Sequence, residues 1–136
     1  MDRKPPKVLI ADDVAVARDL LRAMLRNLNI TEIFDASNGD DAVALFRHER
    51  PDLVFLDIRM PGKDGLQALE EMLSINSSAF IIIDSAESTA DNVRAALKAG
   101  AKGFMVKPFN TEKVSDILDQ YDLYKSSSAG APVSGA

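Results

Sequence analysis

Five short apolar runs, each followed by a segment with helical periodicity, constrain the fold of this chain more than any other feature. The runs are brief and continuous and are bounded by turn signals, a pattern typical of strands buried on both faces. Strands that alternate with helix-length segments predict a parallel sheet with helices on both sides. The predicted strands comprise residues 7–11, 31–36, 53–56, 80–83 and 102–106.

Five strands with short connections favour a flavodoxin-like, doubly wound α/β fold with five helices and the strand order 2-1-3-4-5. Capping patterns indicate helix starts: Asp13 can cap the first helix, and residues 88–91 have the form of a capping box. The last helix should run from about Thr111 to Tyr124. We divide the chain into a loose lead-in (1–6), one domain (7–125) and a small, uncharged, disordered tail or linker (126–136).

Composition excludes several classes of protein. With 16 Lys+Arg against 21 Asp+Glu, the net charge is −5, which argues against non-specific binding to nucleic acid or to an anionic membrane. The chain has no Cys and a single His, so disulfides, thiolate metal sites and histidine clusters are excluded. No apolar run is long enough to span a bilayer and the first residues lack a signal-peptide pattern, so we expect a cytoplasmic protein.

Polar residues follow four of the predicted strands, and the carboxyl ends of neighbouring parallel strands meet at one edge of the sheet. Carboxylates gathered there raise one another's pKa unless a cation intervenes, and a site of oxygen ligands alone suits Mg²⁺. A lysine and a hydroxyl beside such a metal suit the oxygens of a phosphoryl group. Each residue alone also has a structural explanation, such as a helix cap, a turn or a surface charge. The residues are Asp12 and Asp13, Asp57, Ser85 and Lys107.

Four short motifs occur in order along residues 7–124: Asp12-Asp13; Asp57 followed by Met60-Pro61-Gly62 and Gly65; Ser85-Ala86; and Lys107-Pro108-Phe109. In this order and spacing the set resembles the receiver domain of two-component response regulators. The resemblance implies a module switched by phosphorylation and not an enzyme of metabolism. Its only chemistry would be Mg²⁺-dependent self-phosphorylation and autodephosphorylation.

The resemblance also implies a role for each residue. Asp57 would be the phospho-acceptor, whose carboxylate attacks a phosphoryl group from a kinase histidine or a small phosphodonor. Asp13, Asp57 and the backbone carbonyl of Arg59 would bind Mg²⁺, and Asp12 would act largely through metal-bound water. Lys107 would pair with the phosphoryl oxygens.

The predicted phosphoryl-binding residues also include Ser85 and Ala86. Ser85 would hydrogen-bond a phosphoryl oxygen after a shift of its loop. Phe104 matches the aromatic switch position, which in the family turns inward as the hydroxyl residue moves. The Lys107–Pro108 peptide bond is typically cis in the family, in keeping with the small trans preference of such bonds.

Three positions depart from the family pattern. Ser85 replaces the more common Thr and keeps its hydroxyl, whereas Phe104 lacks the hydroxyl of Tyr, so the switch must rely on packing. Asp84 stands where an apolar residue is usual, and it either adds negative charge near the site or faces solvent.

Two further charged residues flank the predicted site. Arg59 stands two positions after Asp57, and Glu87 stands two positions after Ser85. We hypothesise that Arg59 and Glu87 pair across the mouth of the site and slow the entry of the hydrolytic water. The alternative is an ordinary surface ion pair of little energetic weight.

Phosphorylation at Asp57 adds charge and acceptor oxygens, which bias a two-state element. By the resemblance, a sensor histidine kinase or phosphotransfer protein donates the phosphoryl group. An output protein or domain then binds the face formed by the helix at residues 88–99, the fifth strand and the last helix. We expect this chain to bind neither nucleic acid nor a membrane.

Particular residues of the chain argue against two rival functions. A phosphatase of the haloacid dehalogenase type needs a second Asp two residues after Asp57, where Arg59 stands, and a cap domain for which 136 residues leave no room. A flavodoxin-like flavin carrier needs a phosphate-binding loop after the first strand, where Asp12 and Asp13 would repel phosphate. An unphosphorylated interaction module, or the receiver portion of a longer regulator with an output domain, remains an alternative.

Overall fold

The structure, a computed structural model, describes residues 5–86 and 89–130, with side chains to residue 127. Five parallel strands form one sheet in the order 2-1-3-4-5, which confirms the predicted topology. The strands are β1 (Val8–Ala11), β2 (Ile33–Ala36), β3 (Leu53–Asp57), β4 (Phe80–Ser85) and β5 (Gly103–Val106). The helices are α1 (Ala15–Asn27), α2 (Gly39–Glu49), α3 (Gly65–Ile75), α4 (Ala90–Lys98) and α5 (Thr111–Gly130).

Two apolar layers cover the sheet, one on each face. Because successive side chains of a strand point to opposite faces, each continuous apolar run supplies both layers. Helices α1 and α5 pack on the layer that contains Ile10, Phe55 and Ile82, whereas α2, α3 and α4 pack on the layer that contains Leu56 and Ile83. The three central strands are therefore buried along their whole length.

Register places the ends of the central strands side by side. Asp57 at the end of β3 is the neighbour of Asp84 on β4, and Ser85 pairs with Val106 of β5. β4 is two residues longer than the predicted strand, because Asp84 and Ser85 continue its parallel pairing with β5. This extension determines which face of the sheet each of the two residues occupies.

The predicted cap of the first helix is wrong. The N-cap of α1 is Val14, which makes no side-chain capping hydrogen bond, and Asp13 is exposed before it. The carboxylate of Asp12 instead accepts the N–H of Val14 at 2.9 Å, so the preceding acid satisfies a donor at the helix start. The cap of α4 is Thr89, which accepts the N–H of Asn92, and the first residue of the predicted capping box, residue 88, lies outside the described residues.

The last helix is longer than predicted. α5 starts at Thr111 as expected but continues past Tyr124 to Gly130, so the first five residues of the predicted tail are helical. No Pro or Gly interrupts the chain between Tyr124 and Gly130, and serine is only a mild helix breaker. Residues 131–136 of the predicted tail lie outside the described residues. None of the described helices is long and apolar enough to cross a bilayer.

Candidate functional site

Four charged side chains form a row along the carboxyl edge of the sheet. Each stands two residues after a member of the layer under α1 and α5, as Asp57 stands after Phe55, and so continues the same face by the two-residue period of a strand. The three acids of the row are buried, and its lysine is half-buried. The row consists of Asp12, Asp57, Asp84 and Lys107.

Asp57 lies at the centre of the row and is buried. One carboxylate oxygen accepts the N–H of Arg59 at 3.2 Å, and the other accepts a hydrogen bond from the ammonium of Lys107 at 3.1 Å. Burial raises the pKa of Asp57 above its ordinary value, although the charge and hydrogen bond of Lys107 act in the opposite direction. In this arrangement the oxygen beside Lys107 can react while the oxygen bonded to the N–H of Arg59 stays fixed.

Asp12, Asp13 and Asp57 come together as predicted. One carboxylate oxygen from each lies within 4.8 Å of the others, while Asp12 is buried and Asp13 is exposed. Oxygen donors without His or Cys are the ligands preferred by Mg²⁺, and a divalent cation would offset the mutual repulsion of the three carboxylates. The donor set therefore fits the predicted cofactor, with Asp13 on the side open to solvent.

Lys107 connects two of the acids. Its ammonium donates to Asp12 at 2.5 Å and to Asp57 at 3.1 Å, and its backbone N–H donates to the carbonyl of Ser85 at 2.8 Å. Burial would lower the pKa of Lys107, but the hydrogen bond to Asp12 and the charges of the three acids of the row raise it above the ordinary value. The peptide bond between Lys107 and Pro108 is cis, as predicted.

The hydroxyl and aromatic residues expected near the site lie on and beside β4. Ser85 is buried as the last residue of the strand, and Ala86 follows it on the surface. Phe104 pairs with Ile83, is half-buried and packs against the layer under α2, α3 and α4. Ser85 is two residues after Ile83 and therefore lies on the same face as Phe104.

One more predicted metal ligand, the backbone carbonyl of Arg59, and the predicted gate involve the segment after β3. Arg59 is exposed, and its N–H is the one that bonds Asp57. Binding of Mg²⁺ by its carbonyl stays a prediction. Its hypothesised partner Glu87 lies outside the described residues, so the gate also stays a prediction.

Asp84 is the residue whose place the sequence left open, and it does not face solvent. It is only 1 % exposed, and its Oδ1 has no hydrogen-bond partner among the described residues. Burial raises the pKa of Asp84 to about 8, opposed by the charge of Lys107 and reinforced by those of Asp57 and Asp12. The period of two from Ile82 could have indicated this inward position, had β4 been predicted to its full length.

Two residues on the helices support the site, and sequence reasoning missed one of them, Arg18. Arg18 on α1 donates to the backbone carbonyl of Asp12 at 2.8 Å and to the carboxylate of Asp35 at 3.2 Å, which ties the acidic loop to β2. Gly65 starts α3 so close to β3 that an added Cβ would lie 2.2 Å from the carbonyl oxygen of Asp57. The contact of Arg18 depends on how α1 packs on the sheet, so it leaves no local pattern, whereas Gly65 belongs to the motif that follows Asp57.

Comparisons with known proteins find a matching family and several related chains. The family model described as the response regulator receiver domain matches residues 8–119. The chain is 38% identical over 114 residues to the chemotaxis protein CheY of Thermotoga maritima, covering 84% of this chain and 95% of that one.

Two solved structures are also similar. A chain of the CheX–CheY–BeF3–Mg²⁺ complex from Borrelia burgdorferi is 31% identical with a TM-score of 0.80, covering 83% of this chain and 86% of that one. A CheY-like receiver domain from Methanospirillum hungatei has a TM-score of 0.84 at 22% identity, covering 91% and 99% of the two chains, and shows the fold alone.

Proposed function

The chain belongs to the response regulator receiver domains of two-component signalling, and on this premise we propose that it accepts a phosphoryl group on Asp57. Receiver domains are signalling modules and not enzymes in the usual sense. One observation carries the proposal. Asp57 is buried at the end of β3, next to two further acids and in hydrogen-bond contact with the ammonium of Lys107.

In the proposed reaction, an oxygen of the Asp57 carboxylate attacks phosphorus and forms a new O–P bond. The bond from phosphorus to the donor breaks, and its electron pair leaves with the donor, which is a histidine nitrogen or the acetate of acetyl phosphate. The N–H of Arg59 holds the non-attacking oxygen of Asp57 at 3.2 Å. This contact keeps the nucleophile oriented while the other oxygen reacts.

Lys107 is placed to neutralise the transferred group. Its ammonium already contacts Asp57, so a phosphoryl group added there would carry its oxygens next to a fixed positive charge. Ser85 is one strand away and would supply the hydroxyl predicted for one of these oxygens.

Mg²⁺ bound by Asp12, Asp13 and Asp57 would add positive charge beside the phosphoryl oxygens. The related complex from B. burgdorferi contains Mg²⁺ together with BeF3, which supports this choice of cation. In the structure described here, Asp12 bonds Lys107. We infer that Asp12 exchanges this partner when the metal binds.

We infer two surfaces for partners. An apolar groove beside Lys107 is lined by Ala17 and Leu20 of α1 and by Pro108, which suits a kinase or phosphotransfer protein that must reach Asp57. The output partner would use the face of α4, β5 and α5, where an open cleft of roughly 260 Å³ borders Phe104. The identity of both partners and the cytoplasmic location stay predictions.

The decisive experiment is intact-protein mass spectrometry after incubation with acetyl phosphate and Mg²⁺. We expect one phosphoryl adduct that requires Mg²⁺ and is absent from Asp57→Asn. Asp19→Asn is the matched control, because Asp19 is an exposed acid of α1 that bonds Arg22 away from the row. An adduct that persists in Asp57→Asn, or no adduct on folded parent protein, would contradict the proposal and favour the unphosphorylated interaction module.

A further inference from the structure

Asp84 is a buried acid to which the proposed phosphoryl transfer gives no role. An apolar side chain would fill its place at the end of the layer that contains Ile82 without any cost of desolvation. Its Oδ1 is the only buried side-chain nitrogen or oxygen among the described residues that lacks a hydrogen-bond partner. A central strand that retains such a group at a net cost in stability points to a function for its oxygen.

Lys107 offers the complementary feature. An ammonium group has three N–H donors, and among the described residues two are used, one by Asp12 and one by Asp57. In the part of the chain that the structure describes, Lys107 is also the cation whose charge lowers the pKa of Asp84. The backbone N–H of Lys107 bonds the carbonyl of Ser85, the residue next to Asp84, which fixes the root of the lysine beside the acid.

The acids that hold Lys107 are the same acids that would hold Mg²⁺. When Asp12 turns to a cation, the ammonium loses its 2.5 Å contact, although the phosphoryl reaction needs it to stay beside Asp57. We propose that Asp84 is a positioning residue that takes over the Lys107 ammonium through Oδ1 when Asp12 binds the metal. This inference rests on the proposed function of Asp57.

The role of Asp84 does not depend on its charge. Oδ1 is an acceptor both in the carboxylate and in a carboxyl group that carries its proton on Oδ2. An amide oxygen in the same place can accept the same hydrogen bond, whereas a hydrocarbon side chain cannot. Asp84→Asn and Asp84→Leu therefore separate the acceptor from the mere filling of the space.

The first readout does not require phosphorylation. Protein labelled with ¹⁵N-lysine is titrated with Mg²⁺, and the ammonium signal of Lys107 is assigned by its loss in Lys107→Arg. In the Mg²⁺-bound parent and in Asp84→Asn, we expect the ammonium protons to stay protected from exchange with water. In Asp84→Leu we expect them to exchange at least about tenfold faster, and equal protection in that variant would overturn the proposal.

The second readout is the rate of adduct formation with acetyl phosphate at saturating Mg²⁺. Asp84→Leu should be slower by about tenfold, and Asp84→Asn should retain most of the parent rate. Ile82→Val is the packing control on the same strand and face, and it should behave like the parent. If Asp84→Leu reacts as fast as the parent, Asp84 does not position Lys107.

Two further outcomes are distinguishable. If Asp84→Leu fails to fold, Asp84→Ala removes the acceptor without adding volume and is judged by the same two criteria. If the parent itself forms no adduct, the proposed function fails, while exchange protection of the ammonium in the Mg²⁺-bound protein still decides whether Asp84 holds Lys107.

Discussion

The two edges of the sheet are built on opposite principles. At the amino edge, polar groups find partners: the N–H of Lys7 bonds Asp52 at 2.9 Å, and the hydroxyl of Tyr124 bonds the carbonyl of Ser78 at 2.9 Å. The ring of Phe80 packs against Tyr121 and Tyr124, with centroids 5.6 and 5.2 Å away. This edge satisfies its polar groups and buries apolar area.

At the carboxyl edge, three buried acids share one lysine. Asp12 and Asp57 bond Lys107, while Asp84 keeps an oxygen without a partner among the described residues. Burial of acids that lack a matching positive charge lowers the free energy of unfolding, so this edge destabilises the folded protein. The comparison indicates that contacts at the amino edge stabilise the fold. The buried acids at the carboxyl edge, which serve the proposed chemistry, destabilise it.

The largest expected effect comes from the amino edge. Phe80→Ala removes a buried ring and should lower the free energy of unfolding by about 3–5 kcal/mol, measured by urea denaturation. Below the temperature at which it unfolds, the variant should still form the adduct on Asp57. Loss of adduct formation in folded Phe80→Ala would break the separation between the two edges.

An effect of opposite sign is expected at the carboxyl edge, and it depends on pH. The pKa of Asp84 is raised to about 8 in the folded protein from an ordinary value of 3.8, so between these values the folded state binds the extra proton. The free energy of unfolding contributed by Asp84 therefore falls as pH rises from about 4 to about 8.

Asp84→Asn cannot titrate and should escape this loss. Denaturant midpoints of variant and parent in Mg²⁺-free buffer should be similar near pH 4 and diverge towards pH 8, with the variant the more stable. A constant difference across this range would show that Asp84 titrates normally and would remove the contrast between the edges.

The smallest expected effect is that of Tyr124→Phe, which deletes only a hydroxyl at the amino edge. The hydrogen bond to Ser78 should contribute about 1 kcal/mol or less, because it lies at the surface. The ring contacts with Phe80 remain, as does the position of Lys102 above the ring at 5.3 Å. A loss as large as that of Phe80→Ala, measured by the same urea denaturation, would mean that polar pairing, and not buried apolar area, stabilises this edge.

The features that the sequence predicts correctly are those that depend on local patterns of residues. Apolar runs and helical spacing predict the ten elements and their order, and parallel topology then brings Asp12, Asp57 and Lys107 to one edge. The long-range supports are not local: the contact of Arg18 with the carbonyl of Asp12 depends on how α1 packs.

The ends of the elements were also predicted wrongly. Where an element begins or ends depends on which hydrogen-bond partners are available in the folded protein. The carboxylate of Asp12, and not that of Asp13, accepts a donor at the start of α1. β4 extends through Asp84 because pairing with β5 outweighs the cost of burying an acid. α5 extends because nothing in residues 125–129 stops it.

Asp84 and Ser85 are consecutive residues of β4, so their side chains lie on opposite faces of the sheet. The first faces the layer covered by α1 and α5, and the second faces the layer with Phe104 and α4. A single peptide unit thus joins the two halves of the molecule, and the carbonyl of Ser85 beside it accepts the N–H of Lys107. A displacement of that unit would move one side chain in each of the two layers at once.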